Sequence, residues 1–133
     1  METKARVTTG AGLPCEVELE AGGHSRIVVF DQPGELSDGN SGPTSTQAVS
    51  AALASCTAVT LRVYADRKGW SLEGLEVEVA TSYEGPNPNL FSVRIGWPSH
   101  LDPEQVERLT RIAGKCPVHR LLAEATTVGI ETA

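Results

Sequence analysis

The sequence predicts an α+β protein in which antiparallel hairpins accompany one long helix. Two stretches, Cys15–Glu20 and Leu75–Val79, alternate apolar and acidic residues with the period of a half-wetted strand, and each is followed past a turn signal by a second apolar run. Between the two hairpins, Val49, Ala52, Leu53, Cys56, Thr60 and Val63 recur at the spacing of one helix face.

The elements follow in order. In Cys15-Glu-Val-Glu-Leu-Glu20 one face is apolar and the other acidic, Gly22-Gly23 supplies a turn, and Ser25–Phe30 completes the first hairpin before Asp31-Gln-Pro33-Gly34 stops the strand. Residues 34–43 are rich in Gly, Ser, Asn and Asp and read as a mobile connection, able to serve as a lid or a subunit crossing. Thr44-Ser-Thr-Gln47 fits a capping box that starts the helix, and Gly69 is placed to end it. Cys56 falls on its apolar stripe. The small residues Ala51, Ala52, Ala54, Ser55 and Ala58 would let other backbones approach, so a helix packed on all sides is expected.

A second hairpin pairs Leu75–Val79 with Phe91–Trp97 across the turn-rich segment Glu84–Asn89. Asp102 and Pro103 then cap a helix carrying Val106, Leu109 and Ile112, which Gly114 closes. Pro117 suits the first turn of another short helix, with Cys116 at its N-terminus. Val128-Gly-Ile130 reads as a final short strand.

A length of 133 residues suits one domain spanning 1–133 and suffices for one core. The apolar share of 40% is enough for that core, whereas aromatics at 5% are too few for a base-stacking platform. A net charge of −6 offers no attraction to phosphate backbones or anionic lipid, so neither nucleic acid nor membrane is an expected partner. Met1–Arg6 has no apolar segment behind its charges, and no apolar run approaches the ~20 residues that span a bilayer. The expected location is the cytoplasm.

Cys15, Cys56 and Cys116 are odd in number and widely spaced, unlike a secreted disulfide framework or a Cys-x-x-Cys motif. Each is either a small buried hydrophobe or a reactive thiol. Cys116 has a helix N-terminus to lower its pKa, with Lys115, His119 and Arg120 beside it in sequence as further positive charge. Cys56, inside a helix, would have its pKa raised by burial unless a cation or hydrogen bond compensates. Cys15 shares a strand face with Val17 and Leu19 and reads as structural. His24, His100 and His119 lack ligand spacing, Glu73, Glu76 and Glu78 read as a solvated strand face, and no glycine-rich nucleotide loop is present.

Ala51–Trp70, centred on Ala-Ser-Cys56-Thr-Ala, resembles the central-helix signature of the OsmC/Ohr family of small thiol peroxidases. Leu101–Leu109 followed by Ile112-Ala-Gly-Lys-Cys116-Pro-Val-His-Arg120 resembles its second signature, and Asp31-Gln-Pro33 its strand-ending motif. The resemblance implies an OsmC-like intertwined homodimer, with antiparallel sheets, a long buried central helix and active sites at the subunit interface. It implies reduction of organic hydroperoxides, and hydrogen peroxide as a further substrate, through a Cys56 sulfenic acid and a Cys56–Cys116 disulfide. A dithiol reductant, in parts of the family a lipoylated protein, would reopen the bond, with no metal or other cofactor.

The family's site also uses an arginine from the N-terminal strands and a glutamate nine or ten residues before the first cysteine. Here those two positions are Gln47 and Thr46, neither of them charged, and the arginine candidates are Arg6 and Arg26. A neutral amide makes a weaker partner for a guanidinium than a carboxylate does. The alternative expectation is therefore an OsmC-like small-molecule or thiol-binding protein with weak or no peroxidase activity, and a third is a structural domain with inert cysteines.

Overall fold

The computed structural model describes residues 2–12, 14–34, 37–124 and 126–132; Leu13, and Glu35 and Leu36 of the connection, lie outside the described residues. The described chain forms β1 (Thr3–Val7), β2 (Cys15–Ala21), β3 (His24–Phe30), α1 (Ser45–Lys68), β4 (Glu76–Glu84), β5 (Asn87–Gly96), α2 (Pro103–Ala113) and α3 (Pro117–Ala123). Residues 1–49 and 50–133 make two compact units.

In the first unit, β1, β2 and β3 form an antiparallel sheet in that order. Gly22 and Gly23 both have positive φ, +56° and +79°, as a two-residue hairpin turn requires, and they set the register from Ala21 opposite His24 to Cys15 opposite Phe30. The hairpin is the one the sequence predicts. Strand β1 is not anticipated, because Thr3-Lys-Ala-Arg-Val has little apolar patterning. Its cations instead meet acids across the pair: Lys4 lies opposite Glu20, and Arg6 opposite Glu18 with an ion pair of 3.7 Å.

The described part of the connection after β3 is held by one carboxylate. Asp31 is 3% exposed and accepts from the Ser37 hydroxyl at 2.7 Å and from the amides of Gln32 and Ser41 at 2.8 and 3.0 Å. These bonds, the Ser37 hydroxyl first, hold its pKa below the ordinary aspartate value. Gly42 passes so close to β3 that a Cβ would collide with the Val29 carbonyl, so only glycine fits. At the start of α1 the capping box is present: Thr44 N–H donates to Gln47 Oε1 at 2.9 Å and Gln47 N–H to Thr44 Oγ1 at 3.1 Å.

In the second unit, Leu61 and Ala65 of α1 pack with Leu72 and with Leu109 of α2, flanked by Trp70, Ile95, Trp97 and Ile112. β4 and β5 pair antiparallel, and the inward side chains Val77, Val79, Val93 and Ile95 alternate with exposed Glu76, Glu78 and Arg94. The hairpin turn is tighter than the composition of residues 84–89 suggests. Glu84 pairs with Asn87 around Gly85 (φ +58°), and the register shifts at Ser82 and Tyr83, where Pro88, which cannot donate, faces Tyr83. Asp102 caps α2 as predicted, with Gln105 completing the box and Pro103 beginning the helix.

One expectation is corrected. Residues 128–130 form no strand; Val128 and Ile130 are 83% and 91% exposed, since a strand needs a neighbour and none in the described chain pairs with them. An 18-residue stretch of α1 reaches a mean hydropathy of 1.4, so by length and composition alone the helix could cross a membrane. Interspersed Ser and Thr hide this from a search for unbroken apolar runs.

A single chain buries α1 along one stripe, Leu53, Thr57, Leu61 and Ala65. That stripe is turned from the face read in the sequence: Val49 and Val63 are 36% and 44% exposed. Ala52, Cys56, Val59 and Val63, at alternating spacings of four and three residues, form a second apolar stripe left open to solvent apart from the half-buried Cys56.

Candidate active site

Cys56 lies midway along α1 and Cys116 is the N-cap residue of α3. The fold brings the two free thiols near enough for each to shift the other's pKa, with Cys116 fully buried and Cys56 half-buried. The start of α3 explains how both are served. The first amides of a helix have no partner within it. Pro117, at the first helical position, has none to give, so Val118 and His119 carry the free amides. His119 N–H donates to the Cys116 sulfur at 3.4 Å, and the Val118 amide acts to lower the Cys56 pKa.

Two threonines complete the surroundings. Thr60, one turn beyond Cys56 along α1, has a hydroxyl that lowers the Cys56 pKa. Thr57 is buried, donates to the Leu53 carbonyl at 2.8 Å, and acts to lower the Cys116 pKa.

These contacts make the thiols unequal. Burial pushes the Cys56 pKa up, but the Cys116 thiol, the Val118 amide and the Thr60 hydroxyl together bring it below the ordinary thiol value. Cys116 moves the other way. Burial raises it most, and Cys56 raises it further, against a smaller opposing effect of the His119 amide and Thr57. The helix end that the sequence assigns to activating Cys116 is therefore shared between both sulfurs, and Cys56 is the one whose thiolate it favours.

The neighbouring cations take no direct part. Arg120 reaches back to Glu124 at 3.9 Å, Lys115 is exposed, and His119 contributes its backbone amide. Of the supporting residues proposed from the sequence, Arg6 pairs with Glu18, Arg26 is exposed on β3, Thr46 is half-buried in the first turn of α1, and Gln47 is exposed with its carbonyl oxygen committed to the Thr44 amide. All four belong to the first unit, whereas the groups that lower the Cys56 pKa come from the second. Sequence reasoning missed Thr60 and Val118. The four-residue step from Cys56 to Thr60 was readable, but which sulfur the Val118 amide acts on depends on tertiary packing.

A cavity of about 380 Å³ is lined by Leu53, Leu90, Phe91, Val93, His119 and Leu122. Its walls include Leu53 and His119, which stand three residues from Cys56 and Cys116 along α1 and α3. Cys15 lines a separate cavity of about 340 Å³ with Val7, Val17 and Phe30. Among the described residues no cluster of three His, Cys, Asp or Glu side chains could hold a metal ion.

The profile of the family described as OsmC-like protein matches residues 37–131, which include both cysteines. The chain is a member of the OsmC-like family. Solved structures share the fold of this OsmC-like protein. An OsmC-like protein from Mycoplasma pneumoniae has a TM-score of 0.68 at 15% identity, over 92% of this chain and 86% of that one. An organic hydroperoxide resistance protein OsmC from Legionella pneumophila has 0.63 at 21%, over 92% and 89%. The organic hydroperoxide resistance protein OhrB of Bacillus subtilis has 0.57 at 18%, over 90% and 89%. A comparison with curated proteins returned no match. The mixed architecture of antiparallel sheets and three helices is thus the OsmC fold.

Proposed function

We propose that this OsmC-like protein, acting as a single domain, reduces organic hydroperoxides with Cys56 as nucleophile and Cys116 as resolving thiol. The observation that carries the reading is the placement of buried Cys116, the N-cap of α3, near half-buried Cys56, where the mutual influence of the pair lowers the pKa of Cys56 and adds to the rise at Cys116. The Cys56 thiolate attacks the terminal peroxide oxygen, the O–O bond breaks, and an alcohol leaves once its oxygen takes a proton. Cys56 is then a sulfenic acid. The Cys116 sulfur attacks the Cys56 sulfur, the S–O bond breaks, and water departs as the disulfide forms. The two electrons that reduce the peroxide come from the thiol pair, and a dithiol, a lipoylated protein among the candidates, returns them by exchange. The names of structurally similar proteins, which refer to organic hydroperoxide resistance, favour this chemistry over others.

The working form in this reading is a homodimer in the cytoplasm. The open stripe of Ala52, Cys56, Val59 and Val63 supports the dimer, since a second copy laid there would remove apolar surface from water and close over the half-buried thiol. One equivalent of cumene hydroperoxide should convert the two thiols to a Cys56–Cys116 disulfide, read by peptide mass spectrometry, with loss of consumption in Cys56→Ser. Free thiols beside surviving peroxide would reject the proposal.

One observation favours the second reading, a small-molecule or thiol-binding protein with weak peroxidase activity. Gln47 is neutral and its carbonyl oxygen already serves the helix cap, so it cannot hold an arginine as a carboxylate would. Under that reading, Gln47→Glu or Thr46→Glu raises peroxide turnover; unchanged turnover in both counts against it.

A further inference from the structure

Four cavities of the described chain carry charge in their walls: Arg62 and Asp66 in one, Lys115 and Glu124 in another, Lys68 and Asp102 in a third, and Asp31 beside Cys15 in a fourth. The cavity of about 380 Å³ differs, since among the described residues its wall holds no Asp, Glu, Lys or Arg. Buried Leu53 and half-buried Phe91 and Val93 form its inner wall, and exposed Leu90 and Leu122 stand where it meets water. The polar side chains of the wall are Asn89 and His119.

The helix start that positions Cys116 also positions His119. Cys116 is the N-cap of α3, Pro117 the first helical residue, and the His119 amide donates to the Cys116 sulfur at 3.4 Å. That bond fixes the backbone from which the half-buried His119 side chain reaches the cavity wall. Among the described residues no group hydrogen-bonds the ring itself. A neutral imidazole has one N–H and one bare nitrogen, so it can donate to one hydroxyl or hydroperoxide oxygen and accept from an O–H. On the other wall, Leu53 precedes Cys56 by three residues, the spacing of neighbours on a helix surface.

Size and charge narrow the guest. Ligand cavities run from about 300 to 1,000 Å³, so this one suits a compact body, such as one aromatic ring with short branches, over a long chain. A carboxylate placed there would lose its hydration with no cation in the wall to meet it.

We propose that this cavity binds the organic part of a compact, uncharged hydroperoxide and the alcohol formed from it. The apolar body lies against Leu53, Phe91 and Leu122, and its oxygen is hydrogen-bonded to the ring of His119, a specificity-determining residue. The identity of the guest rests on the peroxidase reading above, but its binding can be measured without turnover.

The probe is 2-phenylpropan-2-ol, the alcohol formed from cumene hydroperoxide, titrated into the reduced full chain. The chain has three histidines, so NMR of the imidazole protons reports each. The His119 signals should shift saturably, while those of His24, in the first unit, and His100, bonded to the Ser71 carbonyl at 2.8 Å, stay in place. By equilibrium dialysis, 4-(2-hydroxypropan-2-yl)benzoate, the same body with a carboxylate, should bind about tenfold or more weakly than the alcohol. His119→Phe should weaken alcohol binding roughly three- to tenfold, the effect of one hydrogen bond, and His119→Gln, which restores a donor and an acceptor, should recover most of it. Leu122→Arg, which brings charge to the wall, should weaken it too. Both His119→Phe and Leu122→Arg should raise KM for cumene hydroperoxide more than for hydrogen peroxide, which has no organic part.

Equal affinity for alcohol and carboxylate, shifts spread over all three histidines, or alcohol binding unchanged in both His119→Phe and Leu122→Arg overturns the proposal. Absence of binding by the parent overturns it as well, and dissociation of Leu122→Arg to a monomer would then identify a second copy as what covers the cavity. If the alcohol binds at His119 while the parent consumes no peroxide, the cavity assignment stands and the peroxidase reading falls. If peroxide is consumed with none of these dependences, the reading stands and the cavity assignment falls.

Discussion

The buried Cys116 thiol and the half-buried Cys56 thiol shift each other in opposite directions, so the two residues divide between them what one isolated cysteine cannot supply: a sulfur that ionises readily and one that keeps its proton. Burial opposes ionisation at both. It is overcome at Cys56 by the lowering effects of the Cys116 thiol, the Val118 amide and the Thr60 hydroxyl, and it prevails at Cys116, where Cys56 adds to it and only the His119 amide and Thr57 oppose it.

Alkylation order follows from that division. With its pKa below the ordinary thiol value, Cys56 should be modified by iodoacetamide at a lower pH than Cys116, whose thiolate appears only above the ordinary range. Cys116→Ala removes one of the groups that lower the Cys56 pKa and should slow Cys56 alkylation at neutral pH by roughly three- to tenfold. Modification of Cys116 ahead of Cys56 in the parent would contradict the assignment.

Asp31 makes an acid-side prediction. Its folded pKa lies below the unfolded value, so its contribution is present above the ordinary aspartate range and is lost as pH falls through the folded pKa. Asp31→Asn should lower the melting temperature at neutral pH and loosen residues 37–43, and the gap from the parent should close in acid. Melting curves across pH check the first statement and limited proteolysis the second.

Leu61 is fully buried in the core with Ala65, Leu72 and Leu109. Leu61→Ala should cost about 2–5 kcal/mol in urea unfolding. Val59→Ala, two residues away on the open stripe at 61% exposure, should cost far less in a monomer. Similar costs for both in the assembled protein would mean that the stripe is covered.

The open stripe gives the assembly test. Val59→Asp or Val63→Asp should shift the protein from dimer to monomer in light scattering while leaving helix content unchanged. A charge there is tolerated by water but not by a desolvated apolar contact. A parent that is already monomeric, or variants that remain dimeric, would place the interface elsewhere.

Much of this architecture could be read before any coordinates. Gly22-Gly23, the Thr44–Gln47 and Asp102–Gln105 boxes and Gly69 are local signals, and local signals predicted the first hairpin, the starts of α1 and α2 and the end of α1 correctly. Strand β1 was not legible, because its cations acquire meaning only opposite Glu18 and Glu20. The face of α1 was misjudged for a related reason: two apolar stripes run along it, and one chain buries only one. At the site, the two cysteines were legible from their motifs, and Cys116 at a helix start was read correctly. The direction of its pKa was not, since spacing shows a helix terminus but not which sulfur its second amide acts on or how deeply each lies.

The unequal depth of the two sulfurs also bears on how an oxidised pair would be reopened. An attacking thiolate must approach along the S–S axis, and of the two residues Cys116 is fully buried whereas Cys56 is half-buried. An external thiol should thus form its mixed disulfide on Cys56 and expel Cys116. Because Cys116 has the higher pKa, it is the poorer leaving group, which makes this exchange slow unless a proton is delivered to it. A reductant carrying a second thiol would then have a specific advantage: it can clear the Cys56 adduct by ring closure before the expelled Cys116 attacks it and regenerates the oxidised pair.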